Sequence, residues 1–176
     1  MSQKKERKMK TETDRLILRE MTYDDYDALY NVLADSDIIC HYPYTFDEKH
    51  VRGWIEKNIR RYAVFGFGLW AVCLGETGEM IGDCGLTMQS IDGMILPEIG
   101  YHIAKEHRRQ GFAREAASAV RDWVFANTPF HEVFSYMRKD NLPSSMTARS
   151  IGMSKVEEYN DDGRLTEVWS VKRENL

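Results

Sequence analysis

Apolar positions fall in short runs separated by strong turn signals. Leu16 to Glu20 reads as a strand. Thr22 then opens a helix from about Tyr23 to Ala34: Asp25 stands at the third position of a capping box, Met21 and Tyr26 can form a staple, and Tyr26, Leu29, Tyr30 and Leu33 share one face. A second helix starts at Asp47, with Phe46 and Val51 as its staple and Trp54, Ile55 and Tyr62 continuing the buried face. Between the two lies an aromatic loop, Ile39 to Thr45. Phe67 to Leu74 and Met80 to Met88 are strand-like around a Gly75 to Gly78 turn, and Asp92-Gly93 leads into a further strand, Leu96 to Ala104.

Beyond that strand, Ala113, Ala116, Ala117, Val120, Trp123 and Val124 recur at helical spacing, predicting an amphipathic helix that begins near Gly111. The first turn of a helix leaves N–H groups without intrahelical partners and carries partial positive charge, so it can receive an anion. Gly111 lacks the Cβ that would hold a ligand off that backbone, and Arg108 and Arg109 add guanidinium groups suited to phosphate. A solvated basic loop, with glycine serving only a turn, fits the same residues. His131 to Arg138 is strand-like, Pro143 to Ser150 reads as a short helix closed by Gly152, and Val156 to Tyr159 with Leu165 to Val171 forms a last hairpin. The order predicts an α/β (α+β) fold with about seven strands in a largely antiparallel sheet, the strand–helix–strand around Gly111 being the parallel crossover.

A chain of 176 residues with 43% apolar content can bury one substantial core. Residues 13–176 are expected to form a single domain behind a basic, mobile tail at 1–12. The first ten residues hold five Lys or Arg and one Glu, which leaves the rest with 19 basic and 27 acidic residues, near −8. That balance argues against general nucleic-acid binding and leans toward a cationic small substrate. No apolar run approaches a membrane span, no signal-peptide pattern opens the chain, and Cys40, Cys73 and Cys84 form no CxxC pair, so a cytoplasmic protein with reduced thiols is expected. The five histidines show no paired metal spacing, and no P-loop or full dinucleotide fingerprint is present.

Arg108-Arg109-Gln110-Gly111-Phe112-Ala113 resembles the Arg/Gln-x-x-Gly-x-Gly/Ala motif of the GNAT superfamily of N-acetyltransferases. The stretch from Thr13 to Tyr30 looks like that family's first strand and helix, Pro97 to Ile103 its fourth strand, and Asn141 to Met153 its last helix and the corner beyond. Together these are similar to the ribosomal-protein N-terminal acetyltransferase branch. The resemblance implies helices on both faces of a twisted sheet, a splayed central strand pair, and acetyl-CoA as co-substrate, with no metal. It places pyrophosphate on the amides from Arg109 to Ala113, beside Arg108. It lays pantetheine along the strand at His102, Ile103 and Ala104, near Asn141, which is also an ordinary turn residue.

An amine attacks a thioester only when neutral, so the site must accept a proton and help a thiolate leave. Glu98 is the candidate base, although a glutamate near a strand end is commonly just solvated. Ser144 matches the hydroxyl that the branch uses near sulfur, where many GNAT members instead carry a tyrosine at the position of Ala148. Ser144 can equally cap the short helix, and Ser145 is a rival donor. His102 can sit near the site or simply pack. The expected acceptor is a primary amine on a peptide or protein N-terminus, met by the aromatic loop and first two helices. A polyamine or aminoglycoside acceptor, or a non-catalytic acyl-CoA-binding role, stays open. Either a monomer or a homodimer fits.

Overall fold

A computed structural model describes residues 9–175. Its strands are β1 (Met9–Glu12), β2 (Leu16–Arg19), β3 (Leu69–Leu74), β4 (Met80–Ile91), β5 (Met94–Ile103), β6 (Glu132–Arg138), β7 (Ser154–Asp161) and β8 (Arg164–Lys172). The helices are α1 (Tyr26–Leu33), α2 (Ser36–Ile39), α3 (Glu48–Phe65), α4 (Phe112–Asn127) and α5 (Leu142–Ser150). The strands form one sheet in the order β1-β2-β3-β4-β5-β6-β8-β7. Every neighbouring pair is antiparallel except β5–β6.

Eight strands replace the expected seven or so. The extra one, β1, lies in the stretch read as tail: it is paired with β2, so 9–12 belong to the sheet, while 1–8 lie outside the described residues. The first helix also opens later than expected. Thr22 and Asp25 make their capping box around a 3-10 turn, Tyr23–Asp25, that precedes α1. Asp47 caps α3 by accepting from the His50 N–H, as its position predicts. Both Asp-Gly turns are two-residue hairpin loops with positive φ at each residue, 45° and 78° at Asp92-Gly93 and 48° and 81° at Asp162-Gly163. That is the primed geometry whose twist matches the flanking strands.

Strand alternation sends side chains to two cores. On one face, Leu16, Leu18, Trp70, Val72, Leu86 and Ile99 pack with Ala116, Ala117, Val120 and Val124 of α4 and Ala148 of α5. On the other, Leu69, Ala71 and Cys73 meet Leu29, Val32 and Leu33 of α1 and Val51 and Ile55 of α3.

The parallel pair places the site. β5 and β6 share a single register pair, Glu98 with Phe134, whereas β4 and β5 stay paired from Gly82–Ile103 to Ile91–Met94. Next to the bridge, the Ser135 hydroxyl donates to the Ile99 carbonyl at 2.7 Å. Beyond it the two strands part, and the gap opens toward the start of α4.

Candidate active site

Glu98 sits at the mouth of that gap. It is 9% exposed, and burial pushes its pKa up to about 7, the Thr87 hydroxyl holding it back by donating to Oε2 at 3.1 Å. Gly100 makes room for it. A Cβ there would meet the two Glu98 carboxyl oxygens at 3.2 and 3.3 Å, so the side chain leans along β5 over a position that has no side chain of its own. The carboxyl is therefore buried, and among the described residues it forms no ion pair. A carboxyl raised toward neutrality in this way can exchange a proton.

His102 lies on the same face, two residues past Gly100. Its Nδ1 is 2.7 Å from Asp83 Oδ1 and its Nε2 2.7 Å from the Tyr42 hydroxyl, while Trp54 Nε1 donates to Asp83 Oδ2 at 2.9 Å. Burial alone would depress the imidazole, but the fully buried Asp83 carboxylate beside it holds its pKa above the usual histidine value. Both ring nitrogens are thus partnered within the protein, and the His102 side chain is part of a buried polar chain linking the aromatic loop, α3, β4 and β5. Asp83 carries no signal in the sequence, and Tyr42 reads there only as part of the aromatic loop. They lie 19 and 60 residues from His102, and only their hydrophobic surroundings were visible in the pattern.

The loop into α4 has the expected opening. Arg109 and Gly111 both take left-handed backbone, φ 60° and 82°, and among the described residues no backbone carbonyl accepts from the amides of Arg109, Gln110, Gly111, Phe112 or Ala113. Such a run of unpartnered amides at a helix start can receive an anion. Phe112 is buried in the core, which anchors the first turn.

The Arg108 side chain is held by partners within the protein. Its Nη1 and Nη2 donate to Asp37 and Asp35 at 3.0 Å each, and its Nε donates to the Ile103 carbonyl at 2.9 Å, so the guanidinium ties the loop to α2 instead of facing a phosphate. Arg109 forms no ion pair among the described residues. Two more positions expected along the gap are also partly taken: Ala104 donates its N–H to Ile81, and Ile103 gives its carbonyl to Arg108. Arg15, missed entirely, donates to the Gln110 carbonyl at 3.0 Å and lies 4.3 Å over the Phe112 ring, bracing the loop from the residue just before β2. Glu115 fixes it there by accepting from its Nε at 2.7 Å.

Across the gap, Asn141 Oδ1 accepts from the Ser144 N–H at 3.3 Å and caps α5, so its carbonyl oxygen serves the helix while its Nδ2 makes no hydrogen bond among the described residues. The Tyr101 hydroxyl donates to the Ser144 carbonyl at 2.7 Å, holding the start of α5 against β5. Ser144 Oγ makes no hydrogen bond among the described residues, whereas Ser145 Oγ donates to the Leu142 carbonyl at 3.0 Å. Among the described residues no group of His, Cys, Asp and Glu can hold a metal, and no helix is long and apolar enough to cross a membrane.

The acetyltransferase (GNAT) domain family matches residues 15–154. The chain belongs to that family. It is an acetyl-CoA-dependent N-acetyltransferase, and the single-bridge strand pair with its amide-lined loop is the expected seat for that co-substrate. Among relatives of this acetyltransferase, the uncharacterized protein YkkB of Bacillus subtilis is 35% identical over 147 residues, covering 83% of this chain and 86% of that one. The uncharacterized N-acetyltransferase YnaD of the same organism is 27% identical over 142 residues, 80% of each. The acetyltransferase from Agrobacterium tumefaciens str. C58 superposes with a TM-score of 0.75 at 27% identity over 90% of this chain and 92% of that one. RimL, a ribosomal alpha-N-protein acetyltransferase solved in complex with coenzyme A, shares the fold with a TM-score of 0.78 at 16% identity, covering 94% of this chain and 98% of that one.

Proposed function

We propose that this acetyltransferase acts on a primary amine presented by a peptide or protein N-terminus, with Glu98 receiving the amine proton and Ser144 facing the departing sulfur. The observation that carries the reading is Glu98, a buried carboxyl with a pKa of about 7 at the one bridge before the strands separate. The neutral amine attacks the thioester carbonyl carbon, the C–N bond forms as the C–S bond breaks, and the amine proton passes to Glu98 directly or through one water. Coenzyme leaves as a thiolate, toward which an uncommitted hydroxyl can donate. Ser144 has that hydroxyl free and Ser145 does not, which favours Ser144. The amides from Arg109 to Ala113 would hold the pyrophosphate, with the Arg109 side chain beside them. Asn141 Nδ2, His102, Ile103 and Ala104 border the pantetheine path through the atoms not already taken. Cys40, Cys73 and Cys84 form no disulfide among the described residues, which fits a reducing, cytoplasmic setting.

A peptide acceptor is favoured by the aromatic loop, where Tyr42 and the exposed Tyr44 cluster with Phe46 and with Trp54 of α3 at ring-centroid distances of 4.9 to 6.2 Å, an apolar wall suited to an extended segment rather than to a polycation. The test is to measure kcat/KM with acetyl-CoA for an N-terminal peptide library, spermidine and kanamycin. Peptides should win, and wild-type turnover should rise with pH through about 7. Glu98→Gln should lower kcat by ~10²–10⁴-fold and flatten that rise. An unchanged rate and profile in Glu98→Gln would remove the base assignment. Coenzyme release that ignores every amine would favour a binding module instead. For the loop, Gly111→Val should abolish most of the melting shift, about 2.7 kcal/mol, that acetyl-CoA gives at a hundredfold excess over Kd.

A further inference from the structure

β6 divides its side chains between the two faces of the sheet. Val133, Ser135 and Met137 are buried, whereas Phe134, Tyr136 and Arg138 alternate with them and are half-buried. Phe134 is the bridge partner of Glu98, so the second set lies on the Glu98 face. Arg138 confirms the side by reaching the Cys40 carbonyl, just past α2, at 2.9 Å.

Tyr136 stands two residues past Phe134, as Gly100 stands two past Glu98, so the two positions match across the parting strands. One has no side chain, and the Glu98 carboxyl leans over it: an added Cβ at Gly100 would meet the carboxyl oxygens at 3.2 and 3.3 Å. The other carries a phenol. Its neighbours along β6 have no free polar group to offer. Phe134 has none at all, Arg138 is bonded to the Cys40 carbonyl and, at 3.4 Å, to Asp140, and Glu132 accepts from the Ser170 hydroxyl at 2.7 Å. Tyr136 Oη makes no hydrogen bond among the described residues, and it is open to solvent. β8 fixes the residue from behind through its pairing with Val168, which is buried. Burial, and after it the Glu98 charge, pushes the phenol up to about 12, so it stays protonated near neutrality and serves as a hydrogen-bonding group, not as a base.

A primary amine has two N–H groups and one lone pair. The lone pair attacks the thioester carbon and one proton passes to Glu98, which leaves the second N–H in need of an acceptor. Holding both N–H groups fixes the direction of the lone pair. We propose that Tyr136 Oη accepts the second N–H, which makes it an acceptor-positioning residue and makes the acetyltransferase selective for primary over secondary amines. The inference rests on Glu98 receiving the amine proton.

The experiment compares kcat/KM for two peptides identical except for Ala or N-methylalanine at the N-terminus, in wild type and in Tyr136→Phe. Wild type should prefer the Ala peptide. Tyr136→Phe should lower kcat/KM for that peptide by about 2- to 10-fold, the worth of one neutral hydrogen bond, and leave the N-methyl peptide nearly unchanged. The ratio then falls by the same factor, a readout that loss of folded protein does not move. Melting temperature, KM for acetyl-CoA and the rise of turnover through about 7 should stay in place, because the hydroxyl leaves no partner behind and Glu98 keeps Thr87. A wild-type ratio near one, equal loss on both peptides, no change on either, or a raised KM for acetyl-CoA overturns the inference. If Glu98→Gln is slow in the same assay, such a failure leaves the base reading standing. Wild-type turnover in Glu98→Gln removes the base reading and this inference with it.

Discussion

On the face covered by α4 and α5, strands β2 to β5 contribute Leu16, Leu18, Trp70, Val72, Cys84, Leu86, Ile99 and Ile103, all apolar and nearly all fully buried. The same four strands send Arg19, Asp83, Thr87, Glu98 and His102 to the face covered by α1 and α3. The contrast exists within single strands: β5 gives Ile99 and Ile103 to one side and Glu98 and His102 to the other, because successive residues alternate. Apolar burial stabilises wherever it occurs, at about 25 cal/mol per Å². Buried polar groups stabilise only when fully partnered. Asp83 is partnered by Trp54 and His102, and Arg19 makes a two-point pair with Asp25 at 2.7 and 2.8 Å. Glu98 has one hydrogen-bond partner among the described residues, Thr87. The polar face thus holds a structural network and, within it, one poorly satisfied carboxyl, which is where chemistry is expected.

The comparison breaks hardest on the apolar side. Trp70 is fully buried and meets Trp123 edge-on at 4.8 Å between ring centroids. Trp70→Ala should cost about 3–5 kcal/mol in denaturant unfolding. Acetyl transfer per folded molecule, measured well below the melting temperature, should change little, since the side chain lies on the face away from Glu98. Loss of activity in folded protein would mean that the two faces are not separable.

A smaller effect of opposite sign is expected at Glu98. Its folded pKa of about 7 stands above the ordinary glutamate value of 4.5, so the native state binds this proton more tightly than the unfolded chain does. The stability it contributes is complete below the unfolded value and is lost as pH rises through about 7. Glu98→Gln keeps the neutral shape at every pH. It should therefore match wild type near pH 4 and exceed it by about 3 kcal/mol at pH 8 to 9, as a stabilised but slow enzyme. Melting curves for the two proteins that run parallel across this range would show that Glu98 is not held protonated by burial.

Much of this was legible in the chain because local signals agree with the fold. Thr22 with Asp25, Asp47, both Asp-Gly turns and the stripe from Ala116 to Val124 name their elements without tertiary help. What failed depended on distant partners. Met9 to Glu12 shows no apolar alternation and becomes a strand only because β2 offers an edge. Arg108 reads as a phosphate ligand until Asp35 and Asp37, more than seventy residues earlier, claim its guanidinium. That Arg60 pairs with Glu56 while Arg61, among the described residues, forms no salt bridge is likewise invisible in the sequence, since spacing alone cannot say which charges are paired.

The mildest test separates network from chemistry on the polar face itself. Tyr42→Phe removes the hydroxyl that meets His102 Nε2 at 2.7 Å but leaves the ring packed edge-on against Phe46 at 4.9 Å. One hydrogen bond to a buried, partly charged ring should be worth about 1–2 kcal/mol, and no cavity forms. Asp83 still holds His102 Nδ1, so the imidazole keeps its orientation, and the Glu98 carboxyl, leaning over Gly100, loses no partner. If the network is scaffold, kcat should fall less than about tenfold, with KM for the amine moving no more than kcat, and the pH-dependent rise through about 7 should stay in place. A hundredfold fall in kcat at unchanged melting temperature, or a displaced pH profile, would instead make the Tyr42–His102–Asp83 chain a route for the proton. The polar face would then have two working parts rather than one.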